Sequence, residues 1–511
     1  MSVQTMTTPT THTRDPVAPK RRRRTTSISF ARSVVDWWSS PSDLARAPSI
    51  SSNSSVNSLA ASRLRNRKIE YELYRAVFSD DIHIVPPEGG DSEIAIEDDV
   101  DSSKTDRSTS VIANAEFLDV DIGSGNSIHE LFIQNLSQPT NNNEEPIDLV
   151  IIHGYMAASG YFLKNYETLV KSCPGIRIHA IDLLGFGNSS RPKFPEELLV
   201  TPVDHEDQIK QILDVESWFI DSIEQWRLKR NLRKFKLIGH SMGAYLSSCY
   251  LMKYNDQYGK TAEDRIVTQF VAVSPMGTEP NYQSLINDEK YQFNHHALGG
   301  DPFKELTAKQ KKFKSNSMVD NDSETKFQSL WNDLGRPKFP KVLILRKLWE
   351  WNKSPFQLLQ CFGPFYSKLL SYWSFQRFAN LSSNDQISND DNTDLILKLH
   401  YYSFSIFNQF QGSGELAITK LINHEILARM PLADRGLAEY LANANIKSLW
   451  MYGDNDWMNT NGGKYLYEKI KKIPGSETEF QIVEGAGHHI YLDNPQCFNT
   501  SCIDFFELSK K

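Results

Sequence analysis

The 511-residue chain has few cysteines and no long apolar segment, and both shortages limit what it can be. The cysteines are odd in number and show no C-x-x-C spacing, which argues against a disulfide framework or a cysteine metal site and fits a reducing compartment. The longest uncharged stretches, 149–163 and 237–252, are short for a membrane span, so any membrane association is expected to be peripheral. The five cysteines are Cys173, Cys249, Cys361, Cys497 and Cys502.

A strong net charge and internal repeats are also lacking. The formal net charge of −7 is mild for this length, so the composition gives no indication of a nucleic-acid partner. The chain is long enough for one large domain with an insertion and a tail. We expect neither a metal ion nor a cofactor.

One pentapeptide carries most of the chemical information in the sequence. Gly239-His240-Ser241-Met242-Gly243 follows an apolar run that reads as a strand, and it precedes a stretch that reads as a helix. A G-x-S-x-G motif in this setting predicts a nucleophile elbow, where the serine sits in strained backbone and larger residues at the glycines would collide with neighbouring elements. Ser241 is therefore the candidate nucleophile.

A serine nucleophile needs a base and an acid that orients the base. Two aspartates follow the predicted strand at 446–452, and we favour Asp456 as the acid because of its spacing from Gly453, whereas Asp454 would cap the turn. His488 follows Gly485-Ala486-Gly487 after the last predicted strand and is the candidate base, with His489 as its neighbour. The chain thus offers serine, aspartate and histidine in that order.

Acyl chemistry at a serine also needs an oxyanion hole, which two backbone N–H groups can form. One candidate donor is Met242, the residue after the nucleophile. The other is Tyr155, in the loop after the apolar run 149–152, where Gly154 allows close backbone approach.

Short apolar or β-branched runs predict the strands of the core. From about residue 147 onward they alternate with helical patterns, which indicates a mostly parallel sheet with helices on both faces; the first two look like an antiparallel pair. The gap between the sixth and seventh runs far exceeds a crossover helix, so an inserted helical cap is expected there. The runs are 115–121, 127–134, 147–153, 176–182, 235–239, 269–274, 446–452 and 479–483.

These patterns divide the chain into four regions. Residues 1–112 are expected to be a disordered basic tail followed by an acidic linker, 113–277 and 445–511 the two parts of the core, and 278–444 the cap. Within the cap, the stretch from Trp349 and Trp351 to Phe378 is unusually aromatic. It fits either a helical core of the cap, or an acyl-chain pocket or a surface that enters a bilayer.

The first seventy residues are rich in serine, threonine and arginine and poor in acids. The basic run 20–24, with Phe30, Val34, Trp37 and Trp38 at helical spacing, is typical of a mitochondrial presequence. A disordered tail with kinase sites and a nuclear-localisation-like cluster remain open alternatives.

Several motifs occur together and resemble one known group, the α/β-hydrolase family of fungal cardiolipin-specific deacylases and lysophosphatidic-acid acyltransferases. This family is related to the N-acyl-phosphatidylethanolamine lipases and the lipid-droplet lipase co-activator. The resemblance covers roughly 115–508 and the Trp37-Trp38 segment. Besides the elbow, the motifs are His153-Gly154-Tyr155, the stretch 182–192, Gly363-Pro364, Gly412-Ser413-Gly414-Glu415, Arg429-Met430-Pro431-Leu432, the stretch 452–457 and Gly485-Ala486-Gly487-His488.

The resemblance implies an α/β-hydrolase fold with a large helical cap and a serine-dependent phospholipid deacylase acting on cardiolipin or a related glycerophospholipid. The alternatives are an acyltransferase that uses acyl-CoA as co-substrate and a non-catalytic lipid-binding regulator. His488 and Asp493 match the family's H-x-x-x-x-D acyltransferase signature, although Asp493 could instead anchor the helix before Pro495. We expect a peripheral enzyme of the mitochondrial inner membrane, or alternatively of the cytoplasm or lipid droplets.

Overall fold

A computed structural model describes most of the predicted core and parts of the cap and tail. The described residues are 27–38, 52–87, 111–138, 146–281, 284–286, 359, 361–378, 381, 389–407 and 413–508. The predictions for Trp349, Trp351 and the basic run 20–24 fall outside these residues.

Within the described part of the chain, nine strands form one sheet in the order β1-β2-β3-β5-β4-β6-β7-β8-β9. β2 and β3 form the expected antiparallel pair, β3 is also antiparallel to β5, and the pairings from β5 through β9 are parallel. The predicted mostly parallel sheet is confirmed. The strands are Ile82–Ile84, Ala113–Gly123, Asn126–Asn135, Asp148–Ile152, Arg177–Ile181, Phe235–His240, Val267–Val273, Lys447–Gly453 and Thr478–Val483, numbered β1 to β9.

Helices cover the sheet because its central strands are apolar on both faces. All five residues of β4 are buried, as expected for a central parallel strand. No described helix is long and apolar enough to cross a membrane. The α-helices, numbered α1 to α12, are Phe30–Trp38, Ser52–Arg75, Tyr166–Lys171, His205–Lys229, Met242–Tyr254, Tyr366–Arg377, Asn389–Phe407, Ile418–Leu421, Leu437–Asn443, Thr460–Lys471, Ile490–Asp493 and Pro495–Phe505.

The expectation of a structureless region over 1–112 is wrong for the carboxyl-terminal half of α2. Leu73 and Tyr74 are fully buried in the core. The Glu70 carboxylate lies 2.9 Å from His129 Nε2 on β3 and accepts a 2.7 Å hydrogen bond from the Asn188 amide. Burial alone would lower the pKa of His129, but the charge and hydrogen bond of Glu70 raise it overall. The arginine-rich composition made it hard to recognise that Leu73, Tyr74 and Glu70 form a helix face that packs into the core.

Helix α1 is likewise ordered, and it lies against the cap helix α6. The Ser33 hydroxyl donates to the Pro364 carbonyl (2.6 Å) and accepts from the Lys368 N–H (2.9 Å). The Ser367 hydroxyl donates to the buried Asp36 carboxylate at 2.6 Å. These polar contacts fix the helix on the cap although few of its apolar side chains are buried.

The expected cap boundary at residue 444 is too late. Helix α9 contacts α5, α10 and β8, and the hydroxyl of Tyr440 donates to the Leu251 carbonyl of α5 at 2.9 Å. Just before it, the buried Arg435 guanidinium pairs with Glu216 of α4 at 2.7 Å. These residues therefore belong to the helical layer of the core, because they cover the sheet rather than the site.

Removal of the buried carboxylate on α2 tests whether this helix is part of the folded core. Glu70→Ala leaves His129 Nε2 and the Asn188 amide without this carboxylate, although His129 Nδ1 keeps Asp119, and we expect the free energy of unfolding to fall by about 3 kcal/mol. Urea denaturation followed by circular dichroism measures the change. Glu72→Ala is the matched control, because Glu72 is exposed on the same helix. An equal effect of the two substitutions would show that α2 contributes no specific interaction.

Candidate active site

Ser241 lies at the sharp turn between β6 and α5. Its backbone has φ 53° and ψ −118°, a conformation that is strained for a residue with a side chain. A Cβ atom at Gly239 would lie 2.7 Å from Ala244 Cα, and one at Gly243 would collide with the His153 carbonyl. The turn therefore requires glycine at both positions, as the motif predicts.

Three loops at the carboxyl ends of β6, β8 and β9 bring the serine, aspartate and histidine together. His488 Nε2 lies 3.0 Å from Ser241 Oγ, and His488 Nδ1 lies 3.1 Å from Asp456 Oδ1. All three side chains are largely buried. With Nδ1 protonated and held by the carboxylate, Nε2 is free to accept the serine proton, which is the arrangement of a nucleophilic triad.

Asp456 is held as a carboxylate in spite of its burial. Burial alone would raise its pKa, but His488, the Ser274 hydroxyl and the Met458 N–H together lower it. The Met458 N–H donates to Oδ1 at 3.0 Å and so fixes the carboxylate toward the histidine.

Asp454, the competing aspartate, has a different position. Its exposed carboxylate accepts from the Ala486 N–H at 3.0 Å and from the Asn455 amide at 3.0 Å. It therefore joins the loop after β8 to the loop that carries His488. The structure brings Asp456, and not Asp454, to the histidine.

The residues predicted to supply the oxyanion hole lie close to the serine. Met242 begins α5 directly after Ser241. A Cβ atom at Gly154 would lie 2.8 Å from Ser241 Cβ, so the loop that carries Tyr155 lies directly against the nucleophile. The Tyr155 hydroxyl donates to the Glu415 carbonyl at 3.2 Å, which attaches the loop to the segment above it.

His153 fixes the backbone of this loop through two hydrogen bonds. Its Nε2 accepts from the Leu183 N–H at 3.0 Å, so Nδ1 carries the proton and donates to the Gly154 carbonyl at 2.8 Å. Burial lowers the pKa of His153 in spite of the nearby Asp182 charge, which keeps the imidazole neutral in this tautomer.

His240 is a residue of the site to which sequence analysis assigned no role. Its Nε2 donates to the His488 carbonyl at 3.0 Å and so fixes the backbone of the candidate base. Burial, followed by the charge of His488, lowers the pKa of His240 well below its usual range. An imidazole directly before the nucleophile was the available signal, but its partner lies 248 positions away.

Asp493 anchors the histidine loop. Its carboxylate accepts from the Gly487 N–H at 2.9 Å and from Arg377 of the cap helix α6 at 3.2 Å. The suggestion that it anchors the helix before Pro495 is wrong, because the Asn494 side chain caps α12 by accepting from the Cys497 N–H. Among the described residues, no group of His, Cys, Asp and Glu side chains is arranged to hold a metal ion.

The chain is similar in sequence to a protein family and to several lipid enzymes. A family model described as the alpha/beta hydrolase fold matches residues 149–495. A probable 1-acylglycerol-3-phosphate O-acyltransferase of Oryza sativa is 26% identical over 70% of this chain and 67% of its own length. The human (Lyso)-N-acylphosphatidylethanolamine lipase is 26% identical over 71% of this chain and 79% of its own length.

The comparisons extend to yeast proteins and to solved structures. The Saccharomyces cerevisiae 1-acylglycerol-3-phosphate O-acyltransferase ICT1 is 28% identical over 70% of this chain and 81% of its own length. The structure of the Bacillus subtilis carboxylesterase CesB covers 87% of this chain and 98% of its own, with 13% identity and a TM-score of 0.41. The chain spans about two thirds of the length of the plant relatives that it matches.

The contrast between the two aspartates predicts a large loss of turnover at one position and a small loss at the other for the same substitution. Asp456→Asn removes the charge that orients His488, and we expect turnover of a soluble p-nitrophenyl ester to fall by about 10³–10⁴-fold. Asp454→Asn, the matched control, removes only a loop contact and should reduce turnover by less than about tenfold. Steady-state kcat measures both effects, and the reverse ranking would assign the acid to Asp454.

Proposed function

The chain belongs to the alpha/beta hydrolase family, and on that premise we propose that it is a serine-dependent acyl hydrolase of phospholipids. The observation that carries the proposal is the Ser241–His488–Asp456 chain of hydrogen bonds, at 3.0 and 3.1 Å. The relatives named as a (Lyso)-N-acylphosphatidylethanolamine lipase and as a 1-acylglycerol-3-phosphate O-acyltransferase support a lipid ester as the substrate class.

The proposed reaction starts with the attack of Ser241 Oγ on a fatty-acyl ester carbonyl. His488 takes the serine proton as the C–O bond forms, and Asp456 stabilises the resulting imidazolium. The N–H groups of Met242 and Tyr155 stabilise the negative charge on the tetrahedral oxygen. His488 then returns the proton to the leaving alcohol, which yields an acyl-serine.

The acceptor of the acyl group distinguishes the two enzymatic proposals. Water gives a phospholipase that removes an acyl chain from cardiolipin or a related glycerophospholipid. A lysophosphatidate hydroxyl gives an acyltransferase with acyl-CoA as the donor, which the names of the plant and yeast relatives favour as the second candidate. Incubation with cardiolipin vesicles, and separately with acyl-CoA and lysophosphatidate, distinguishes free fatty acid from phosphatidate as the product.

Loss of the nucleophile tests both enzymatic proposals against a lipid-binding regulator without activity. Ser241→Ala should lose acyl release by several orders of magnitude and lose labelling by a fluorophosphonate probe, which requires an activated serine. Ser248→Ala is the matched control, because its hydroxyl only donates to the Ala244 carbonyl of its own helix at 2.9 Å. Full activity of the Ser241→Ala protein would exclude this serine, and absence of labelling in the unmodified protein would favour the regulator.

An exposed aromatic surface supports a peripheral membrane association. It is formed jointly by α1 and the start of the cap helix α6, where the rings of Phe30 and Phe365 lie 4.8 Å apart. Trp38 is 80% exposed and Phe365 is 54% exposed. Tryptophan and phenylalanine of this kind enter the boundary between lipid head groups and acyl chains. The surface consists of Phe30, Trp38, Phe362, Phe365 and Tyr372.

Substitution of this aromatic surface should separate membrane binding from ester chemistry. We expect Trp38→Ser combined with Phe365→Ser to weaken binding to cardiolipin-containing vesicles about tenfold or more, because apolar area is lost from the bilayer contact. Turnover of a soluble short-chain ester should stay the same. Val203→Ser is the control, because it also removes an exposed apolar side chain but lies outside α1 and α6. Unchanged sedimentation of the double variant with vesicles would contradict the proposed surface.

We also propose the mitochondrial inner membrane as the location, with the cytoplasm or lipid droplets as the alternative. The composition of the first seventy residues supports this proposal. Import of the full chain into isolated mitochondria, compared with a chain that lacks residues 1–26, tests it.

A further inference from the structure

Lys420 and Arg429 lie on two segments that the backbone brings next to each other. Lys420 belongs to α8, and the chain then turns back so that the Arg429 N–H donates to the Leu421 carbonyl at 2.9 Å. Ile422 and Ala428 form an antiparallel bridge within this turn. Among the residues that the structure describes, no carboxylate forms an ion pair with Lys420 or Arg429.

Both cations are desolvated, and the described residues satisfy only part of their hydrogen-bonding capacity. Lys420 is only 4% exposed, and its ammonium donates to the Thr201 hydroxyl at 2.9 Å. Burial and the adjacent Arg429 charge lower the pKa of Lys420 to about 8, and burial also lowers the pKa of Arg429. The Nε of Arg429 is buried and has no hydrogen-bond partner among the residues that the structure describes. Two desolvated like charges destabilise the fold unless an anion lies between them.

Residues on both sides of Arg429 contact the elements that carry the nucleophile. Ala428 lies against Gly277, where a Cβ atom would be 2.8 Å from that of Ala428. The neighbouring Met276 N–H donates to the Ser241 carbonyl at 3.2 Å. On the other side, the Met430 carbonyl accepts from the hydroxyl of Tyr245, which lies one turn beyond Ser241 on α5. These contacts place the segment of Arg429 against the elements that carry Ser241, and Arg429 itself is half-buried.

We propose that Lys420 and Arg429 form a phosphate-binding subsite. A guanidinium binds two phosphate oxygens in a fork, and an ammonium adds a point charge, so the pair suits a phosphate group better than a single carboxylate. The phosphate belongs to an acylated glycerol phosphate or is free in solution, and its assignment to a substrate rests on the proposed function. A substrate held in this way would present its ester at Ser241.

The first arm of the test uses inorganic phosphate and the full-length protein. Phosphate should raise the melting temperature above that in chloride of equal ionic strength, because a ligand that binds only the native state stabilises it. Lys420→Met, which keeps the length of the side chain, and Arg429→Gln should each lose this rise. Lys193→Gln, which changes an exposed lysine paired with Glu196, is the control and should keep it.

The second arm compares two soluble esters, dihexanoyl phosphatidate and dihexanoyl glycerol. The ratio of kcat/KM for the phosphorylated ester to that for the neutral ester should fall by about 10–100-fold in either variant, mainly through KM. A merely structural role would reduce both values equally and leave the ratio unchanged. Arg429→Gln keeps the test decisive if the buried Lys420→Met variant does not fold.

The two arms separate the sources of the phosphate and the two proposals. Loss of both the thermal effect and the substrate ratio supports the subsite with a lipid phosphate. Loss of the thermal effect alone supports it with free phosphate. If the unmodified protein hydrolyses neither ester, the proposed function fails, while the first arm still decides the subsite. No phosphate-specific stabilisation of the unmodified protein, together with an unchanged ratio in both variants, would overturn the proposal.

Discussion

The candidate site depends on one strained residue that the sheet holds in place. Ser241 has a backbone conformation that costs about 1–3 kcal/mol for a residue with a side chain. Its N–H donates to the Val273 carbonyl at 2.9 Å, and its own carbonyl accepts from the N–H groups of Tyr245 and Met276. The carboxyl end of β7, the first turn of α5 and the segment after β7 thus hold the turn. The Ser241 hydroxyl points out of the sheet toward His488.

Around this turn, hydrogen bonds from buried side chains hold the backbone of the loops as well as the reacting groups. His153 fixes the loop of Tyr155, His240 fixes the carbonyl of His488, and Asp493 fixes the N–H of Gly487. Each supporting group is buried, which makes its hydrogen bonds stronger than in water and lowers the pKa of both supporting histidines. The loops are therefore set before any substrate binds, which is the condition for electrostatic stabilisation of a transition state.

The cap helix α6 is bound to the histidine loop, and α1 is bound to the start of α6. Arg377 of α6 reaches Asp493 of the histidine loop, while Ser33 and Asp36 of α1 hold the other end of the cap through Pro364 and Ser367. Helix α2 is attached separately to the core, through Glu70 and His129 of β3.

The sequence alone determined the features that depend on local residue types. The apolar runs placed the parallel strands, because a buried strand must be apolar whatever surrounds it. The glycines at 239 and 243 identified the elbow, because no other residue fits such a turn. The order of the candidate triad also followed from short motifs after predicted strands.

Only the tertiary structure decided which distant groups meet. The choice of Asp456 at the histidine, the role of His240 and the contact of Asp493 with Gly487 all depend on loops from separate strands lying at one edge of the sheet. The order of α1 and α2 was missed because arginine and serine are so frequent in the first seventy residues as a whole, while Asp36 and Glu70 find partners 331 and 59 residues away. The lack of an acidic partner for Lys420 and Arg429 among the described residues was invisible for the same reason, since a missing partner is a property of the surroundings and not of the residue.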